Sequence, residues 1–135
     1  MIKFTIPLAP ISKKNSQQIL INRSTGKPFV MPSPQFKQYE AAALWYIPKR
    51  IHINCAVNVE CHFYMSTKRK VDLTNLLEAI DDIMVKAGLL EDDNYTIIQS
   101  HDGSRVFYDK NKPRTEICIT KADFANNKAS LNVTE

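Results

Sequence analysis

Residues 54–88 read NCAVNVECHFYMSTKRKVDLTNLLEAIDDIMVKAG, and the change of period inside this stretch decides the fold class. From Asn54 to Met65 the residues alternate. Cys55, Val57, Val59, Cys61 and Phe63 face one way, and Asn54, Asn58, Glu60, His62 and Tyr64 the other. A period of two is that of a strand with one buried face, which makes both cysteines core thiols by expectation. After the basic run Lys68-Arg69-Lys70 the period lengthens. Leu73, Leu76, Leu77, Ile80, Ile83, Met84 and Ala87 fill one face at about 100° per residue, predicting an amphipathic helix over 74–87. Gly88 is placed to stop it, and Asp72 to cap its start or favour its dipole.

Working outward, Ile2, Phe4 and Ile6 alternate with Lys3 and Thr5, a short strand that Pro7 and Pro10 end. Residues 11–18 form a polar, basic connection. Ile19–Asn22 and Pro28–Met31 flank a loop containing Gly26, the pattern of a hairpin. Ser33 caps a helix running to about Tyr46, with Pro34 at its first position and Phe36, Tyr39, Ala43 and Tyr46 at helical spacing. Phe29 and Phe36 are expected in the core, while Trp45 and Tyr46 suit either core or a subunit interface. Beyond the long helix come Tyr95–Ser100, a turn at Asp102-Gly103, a strand at Arg105–Tyr108 and a last strand around Thr115–Thr120. The whole predicts one α+β domain over 1–121, a small mixed sheet packed by two main helices. Residues 122–135 lack periodicity and are expected to form a flexible tail.

Composition narrows the function. The chain has 135 residues, 44% hydrophobic and 24% charged, enough for one core. No stretch approaches the roughly 20 apolar residues of a spanning helix, and Met1–Pro10 does not read as a secretory signal, so a cytoplasmic protein is expected. Cys55, Cys61 and Cys118 lack CxxC spacing, and His52, His62 and His101 form no HExxH pattern. Neither a disulfide framework nor a zinc site is indicated.

Charge is unevenly spread. Asp72, Glu78, Asp81, Asp82, Glu91, Asp92 and Asp93 crowd into one stretch with Lys86 alone to offset them, although the chain carries a net charge of +4. The rest is strongly basic. A cationic body attracts a polyanion, and the acidic knot would repel it unless divalent cations sat there, which makes a nuclease the first hypothesis. On the helix wheel Asn75, Glu78 and Asp82 share the polar side, with Asp72 at its leading end. Asp92 and Asp93 follow a short loop and can fold back beside them. Such hard oxygen ligands suit Mg²⁺ or Mn²⁺. The same polar stripe also suits an ordinary solvated helix face, Asp92-Asp93-Asn94 an ordinary turn, and Lys68-Arg69-Lys70 a solvated loop. Asp81 lies at the edge of the apolar arc and is expected to be solvated.

The segments ECHFYMSTKRKVDLTN and AIDDIMVKAGLLEDD, together with the N-terminal PLAPISKKNS, resemble the RusA family of Holliday junction resolvases. The resemblance runs from about residue 2 to 121. It implies a homodimeric α+β endonuclease, phage- or bacterially encoded, that cuts four-way DNA junctions symmetrically with Mg²⁺ in recombination and repair. Two-fold substrates call for two sites, which C₂ symmetry provides. Carried over by residue, Asp72 matches the family's first catalytic aspartate and Asn75 the asparagine after its second. Asp82 matches an aspartate within the helix, and Asp92 and Asp93 the closing acidic pair.

Asp72, Asp82, Asp92 and Asp93 are then the metal ligands. Their mutual repulsion is expected to raise some of their pKa values and to weaken metal binding at acidic pH. Lys13, Lys14, Asn15, Lys68, Arg69, Lys70 and Asn75 are the expected DNA contacts; Arg23 and Lys27 are further cations of this kind. Two positions depart from the family pattern: Thr74 stands where a second aspartate is usual, and Glu78 where a lysine is. Either Glu78 joins the catalytic shell, with Lys68, Arg69, Lys70 or Lys86 supplying the missing cation, or the chain is a catalytically weak or inactive branched-DNA-binding protein.

Overall fold

The computed structural model describes residues 1–13 and 17–122. Its elements are β1 (Ile2–Ile6), a hairpin of β2 (Gln17–Ile21) and β3 (Pro28–Pro32), α1 (Pro34–Ala43) with a 3₁₀ turn at Leu44–Tyr46, β4 (Val57–Met65), α2 (Leu73–Lys86), β5 (Ile98–Ser100), β6 (Arg105–Tyr108) and β7 (Arg114–Lys121). The α+β class with a mixed sheet and two helices is what the periodicities predict. Lys14, Asn15 and the tail beyond Ala122 lie outside the described residues. Among the described residues no helix is long and apolar enough to cross a membrane.

β4 organises the five-stranded sheet. It pairs antiparallel with β7, which pairs antiparallel with β1. Along its other edge β4 pairs in parallel with β5 near Val57 and with β6 from His62 to Met65. A parallel neighbour requires a crossover, and α2 supplies the one between β4 and β5. Val57, Val59, Cys61 and Phe63 of β4 meet Leu76, Leu77, Ile80, Ile83 and Met84 of α2 in a core shared with Phe36, Tyr39 and Ala43 of α1. Ile83 is fully buried. Its replacement by valine is expected to cost about 1 kcal/mol, read as a lower denaturant midpoint at unchanged slope.

The helix ends follow their sequence signals. The Ser33 hydroxyl accepts from the Phe36 N–H at 3.2 Å with Pro34 at the first helical position. At the end of α2, Gly88 takes φ +83°, and the Gly88 and Leu89 N–H groups reach back to the Val85 and Met84 carbonyls. That is a Schellman closure, which an L side chain at Gly88 would strain.

Some expectations are corrected. Cys55 is exposed rather than in the core. Ile53 instead bridges to Leu90, and β4 begins only at Val57, so the alternation read from Asn54 starts before the strand does. Phe36 is buried as expected, but Phe29 on the hairpin is 40% exposed. The hairpin forms its own two-stranded sheet, whose apolar residues from Ile19 to Ile21 also stay exposed. Helix α1 stops at Ala43, and the tighter turn that follows swings Trp45 and Tyr46 out of the core.

Candidate functional site

Helix α2 and the loop after it carry every acidic residue of the knot. Asp72 occupies the N-cap position in extended conformation, but its side chain does not cap the helix. It accepts instead from the Asn75 Nδ2 at 3.3 Å, so the two are held as a pair at the end of the exposed Lys68–Lys70 loop. Thr74 and Glu78 are exposed on the same helix.

Further along, Asp82 is half-buried, and its Oδ2 lies 3.7 Å from Lys13 and 3.5 Å from Lys86. Lys86 also donates to Glu40 at 3.1 Å. The Glu40 hydrogen bond, with the Asp82 charge, raises the Lys86 pKa above its ordinary value against the pull of desolvation. This chain of charges ties the β1–β2 connection and α1 to the polar side of α2. Lys13, expected on DNA, is here drawn to Asp82.

The loop leaving α2 is anchored by the Ile53 N–H donating to the Leu89 carbonyl and the Glu91 N–H to the Ile53 carbonyl. It then folds on its own side chains. Asp92 accepts from the Asp93 N–H at 2.8 Å and from Asn94 Nδ2 at 2.9 Å. These bonds, the backbone one first, hold the Asp92 carboxyl below the usual carboxylate range. Asp92 is therefore not among the carboxyls that repulsion raises, because hydrogen-bond donors set its direction.

Asp81 corrects an expectation. It is 8% exposed, not solvated, and its Oδ2 lies 2.8 Å from His101 Nε2. His101 Nδ1 in turn lies 2.8 Å from the Val59 carbonyl. A carbonyl can only accept, so Nδ1 carries a proton, and an ionised Asp81 then calls for a second on Nε2. Burial pulls the imidazole pKa down, but the hydrogen bond and charge of Asp81 and the Val59 carbonyl outweigh it, and the net direction is up. Burial pushes the Asp81 carboxyl up against the pull of His101, and the charge of Asp93 adds to the rise. That coupling puts Asp93 within electrostatic reach of α2. His101 went unread in the sequence because its partner lies on a different element and no spacing links them.

The donor set is carboxylate oxygen throughout, the chemistry of a hard divalent cation. Asp82 Oδ2 is buried with no hydrogen-bond partner among the described residues and has the Lys13 and Lys86 ammonium groups at ion-pair distance. Among the described residues, however, no three Asp, Glu, His or Cys side chains gather into a group able to hold a metal ion. The structure brings Asp72 to Asn75, Asp92 to Asp93 and Asp82 to its lysines, on one helix and the loop that follows it.

A model of the family described as Endodeoxyribonuclease RusA matches residues 7–120. The chain belongs to the RusA family. The match takes in α2, the Asp92-Asp93 loop and the sheet that supports them except β1 and the last residue of β7. Among curated RusA-family proteins, the crossover junction endodeoxyribonuclease RusA of Aquifex aeolicus (strain VF5) is 28% identical over 96 residues, 69% of this chain and 72% of that protein. Thr74 and Glu78, the two departures from the RusA pattern carried over above, are exposed on the first two turns of α2.

Proposed function

We propose that this protein is a metal-dependent endodeoxyribonuclease that resolves four-way DNA junctions by symmetric phosphodiester hydrolysis, acting as a homodimer in the cytoplasm. One observation carries the reading: the RusA match spans residues 7–120 and so includes both the Asp72 end of α2 and the Asp92-Asp93 loop. Residues 1–121 constitute the nuclease domain. Asp72, Asp82, Asp92 and Asp93 would hold Mg²⁺, or Mn²⁺ in its place, once drawn together around the cation, since among the described residues they are not gathered without it. When bound, the cation activates a water and offsets charge on the phosphate.

The chain's own residues prepare for this. Asn75 steadies Asp72 at 3.3 Å. The Asp92 turn keeps its carboxyl ionised below the usual range, so metal binding should weaken only as pH falls well into the acidic region. Lys13 and Lys86 neutralise Asp82 until a cation competes for it. Lys68, Arg69 and Lys70, exposed beside Asp72, supply the positive charge for the DNA backbone, together with Lys13 and Lys14, and Asn15 adds a neutral hydrogen-bonding contact.

Glu78 belongs to the catalytic set and restores the acidity lost at Thr74. Glu78→Gln is expected to weaken Mn²⁺ binding and slow cleavage, each by roughly tenfold, about what one lost charge-assisted contact removes. Calorimetric titration with Mn²⁺ gives the first readout independently of activity. Unchanged affinity and unchanged cleavage would remove Glu78 from the site. Cleavage of a labelled four-way junction against a linear duplex, with Mg²⁺ and with Mn²⁺, tests the reading as a whole.

A second reading has its own support. The lysines already seated on Asp82 and the departures at Thr74 and Glu78 suit a branched-DNA-binding protein with little or no catalysis. Metal-independent, salt-sensitive junction binding without product would favour it.

A further inference from the structure

We propose that the sheet face turned away from the helices, at β6, is a stacking platform for unpaired bases of the DNA strand. The inference rests on the branched-DNA reading and adds to it a surface outside the acidic site. In register across three strands lie Phe107, Tyr64 and Arg114. The Phe107 and Tyr64 rings stack with centroids 4.9 Å apart and planes 20° apart. The Arg114 guanidinium lies 3.7 Å from the Tyr64 centroid, and His62 meets Phe107 edge-on at 5.7 Å.

Cross-strand aromatic pairs support any sheet, yet here the support leaves the Phe107 ring open, with Tyr64 held between it and Arg114. β6 pairs with β4 alone, all four of its residues are exposed, and Phe107 keeps 39% of its surface in solvent. Tyr108, on the opposite side of the same edge, is 47% exposed with the Lys68 ammonium 5.2 Å from its ring.

The charges around the rings select the occupant. Arg114 takes up Asp109 and Glu116, each at 3.0 Å, and His62 takes up Glu60 at 2.7 Å. The acids of this face are thus engaged internally. Among the described residues, Arg105, Lys110 and Lys112 have no carboxylate at ion-pair distance, so the rim is left cationic. A second copy docked here about a two-fold axis would bring a second cationic rim into the same interface. A nucleic acid strand meets the cations with phosphates and covers the rings with bases, whatever their sequence. Lys68, on the Tyr108 side of the β6 edge, belongs to the loop that leads to Asp72, so a strand leaving the acidic site meets a cation at this edge before it turns onto the platform face.

The test is binding of a four-way junction carrying 5-iodouracil at its branch point, by wild type, Phe107→Leu and Phe107→Trp. Affinity is read by fluorescence anisotropy and contact by photocrosslinking with peptide mapping. Thermal melts establish folding, and sedimentation the oligomeric state. The expected result is a wild-type crosslink on β4 or β6, roughly tenfold weaker binding with loss of that crosslink in Phe107→Leu, and recovery in Phe107→Trp. Equal affinity and equal crosslinking in folded Phe107→Leu would overturn the platform while leaving the DNA reading standing. A change of oligomeric state with no change in crosslinking would overturn it in favour of a second copy. Failure of the wild type to bind the junction would overturn both.

Discussion

Replacing His101 with alanine is expected to cost the fold about 3 kcal/mol, because it removes one partner of a buried ion pair and leaves the other charge uncompensated. Asp81 Oδ2 and the Val59 carbonyl each lose a donor at 2.8 Å, and Asp81 Oδ1 is already buried without a hydrogen bond. The loss also loosens the join between α2 and the sheet, since Asp81 is on the helix and Val59 on β4. His101→Gln, which keeps a single donor, is expected to recover part of the stability.

The pair also sets a pH dependence. The His101 pKa is raised above its ordinary value of 6.5, so the folded state binds the proton more tightly than the unfolded chain. Its contribution is complete below pH 6.5 and is lost as pH rises through the folded-state value. Denaturant midpoints of the wild type should therefore fall on going from mildly acidic to alkaline pH, and His101→Gln should flatten that decline. A parallel decline in both proteins would remove His101 as its source.

The second large effect is on chemistry. Asp92→Asn with Asp93→Asn is expected to lower the cleavage rate by roughly a thousandfold or more, the several kcal/mol that a bound cation contributes to transition-state charge. Both side chains are exposed, and Asp92 is bonded only within its own turn, so stability should change little. Asn keeps the side-chain size and the Asp93 N–H bond to Oδ1, gives up the Asn94 bond to Oδ2, and removes the charge. Junction affinity should hold or rise, since the substitution takes negative charge away from the path of a polyanion. Anisotropy at fixed ionic strength separates that gain from the loss in rate.

The elements were legible in the sequence wherever local pattern and local chemistry agreed. Alternation gave β4, the seven-residue apolar face gave α2, Ser33-Pro34 gave the start of α1 and Gly88 the end of α2. Errors fell where a distant partner decides. Cys55 reads as inward on the strand pattern, but the Ile53 bridge to Leu90 delays the strand until Val57. Asp81 reads as solvated from its place on the wheel, and only the return of the chain at His101 explains its burial. Phe29 reads as core because a two-stranded hairpin with exposed apolar residues cannot be told from a buried one by composition. For the candidate site, the sequence named the acidic residues and their elements. It could not show that Lys13 joins Lys86 on Asp82: the Asp82–Lys86 pair has the i,i+4 spacing of one helix, but the Lys13 pair links separate elements and follows no spacing rule.

The most direct test of the central claim is cleavage of a labelled four-way junction with Mg²⁺ and Mn²⁺ by the wild type beside the Asp92→Asn, Asp93→Asn variant, with nick positions mapped on all strands. Paired nicks placed symmetrically about the branch point, absent in the variant while its junction binding persists, are the predicted result. Tight junction binding by the wild type with no product under either metal would contradict it and leave a binder of branched DNA.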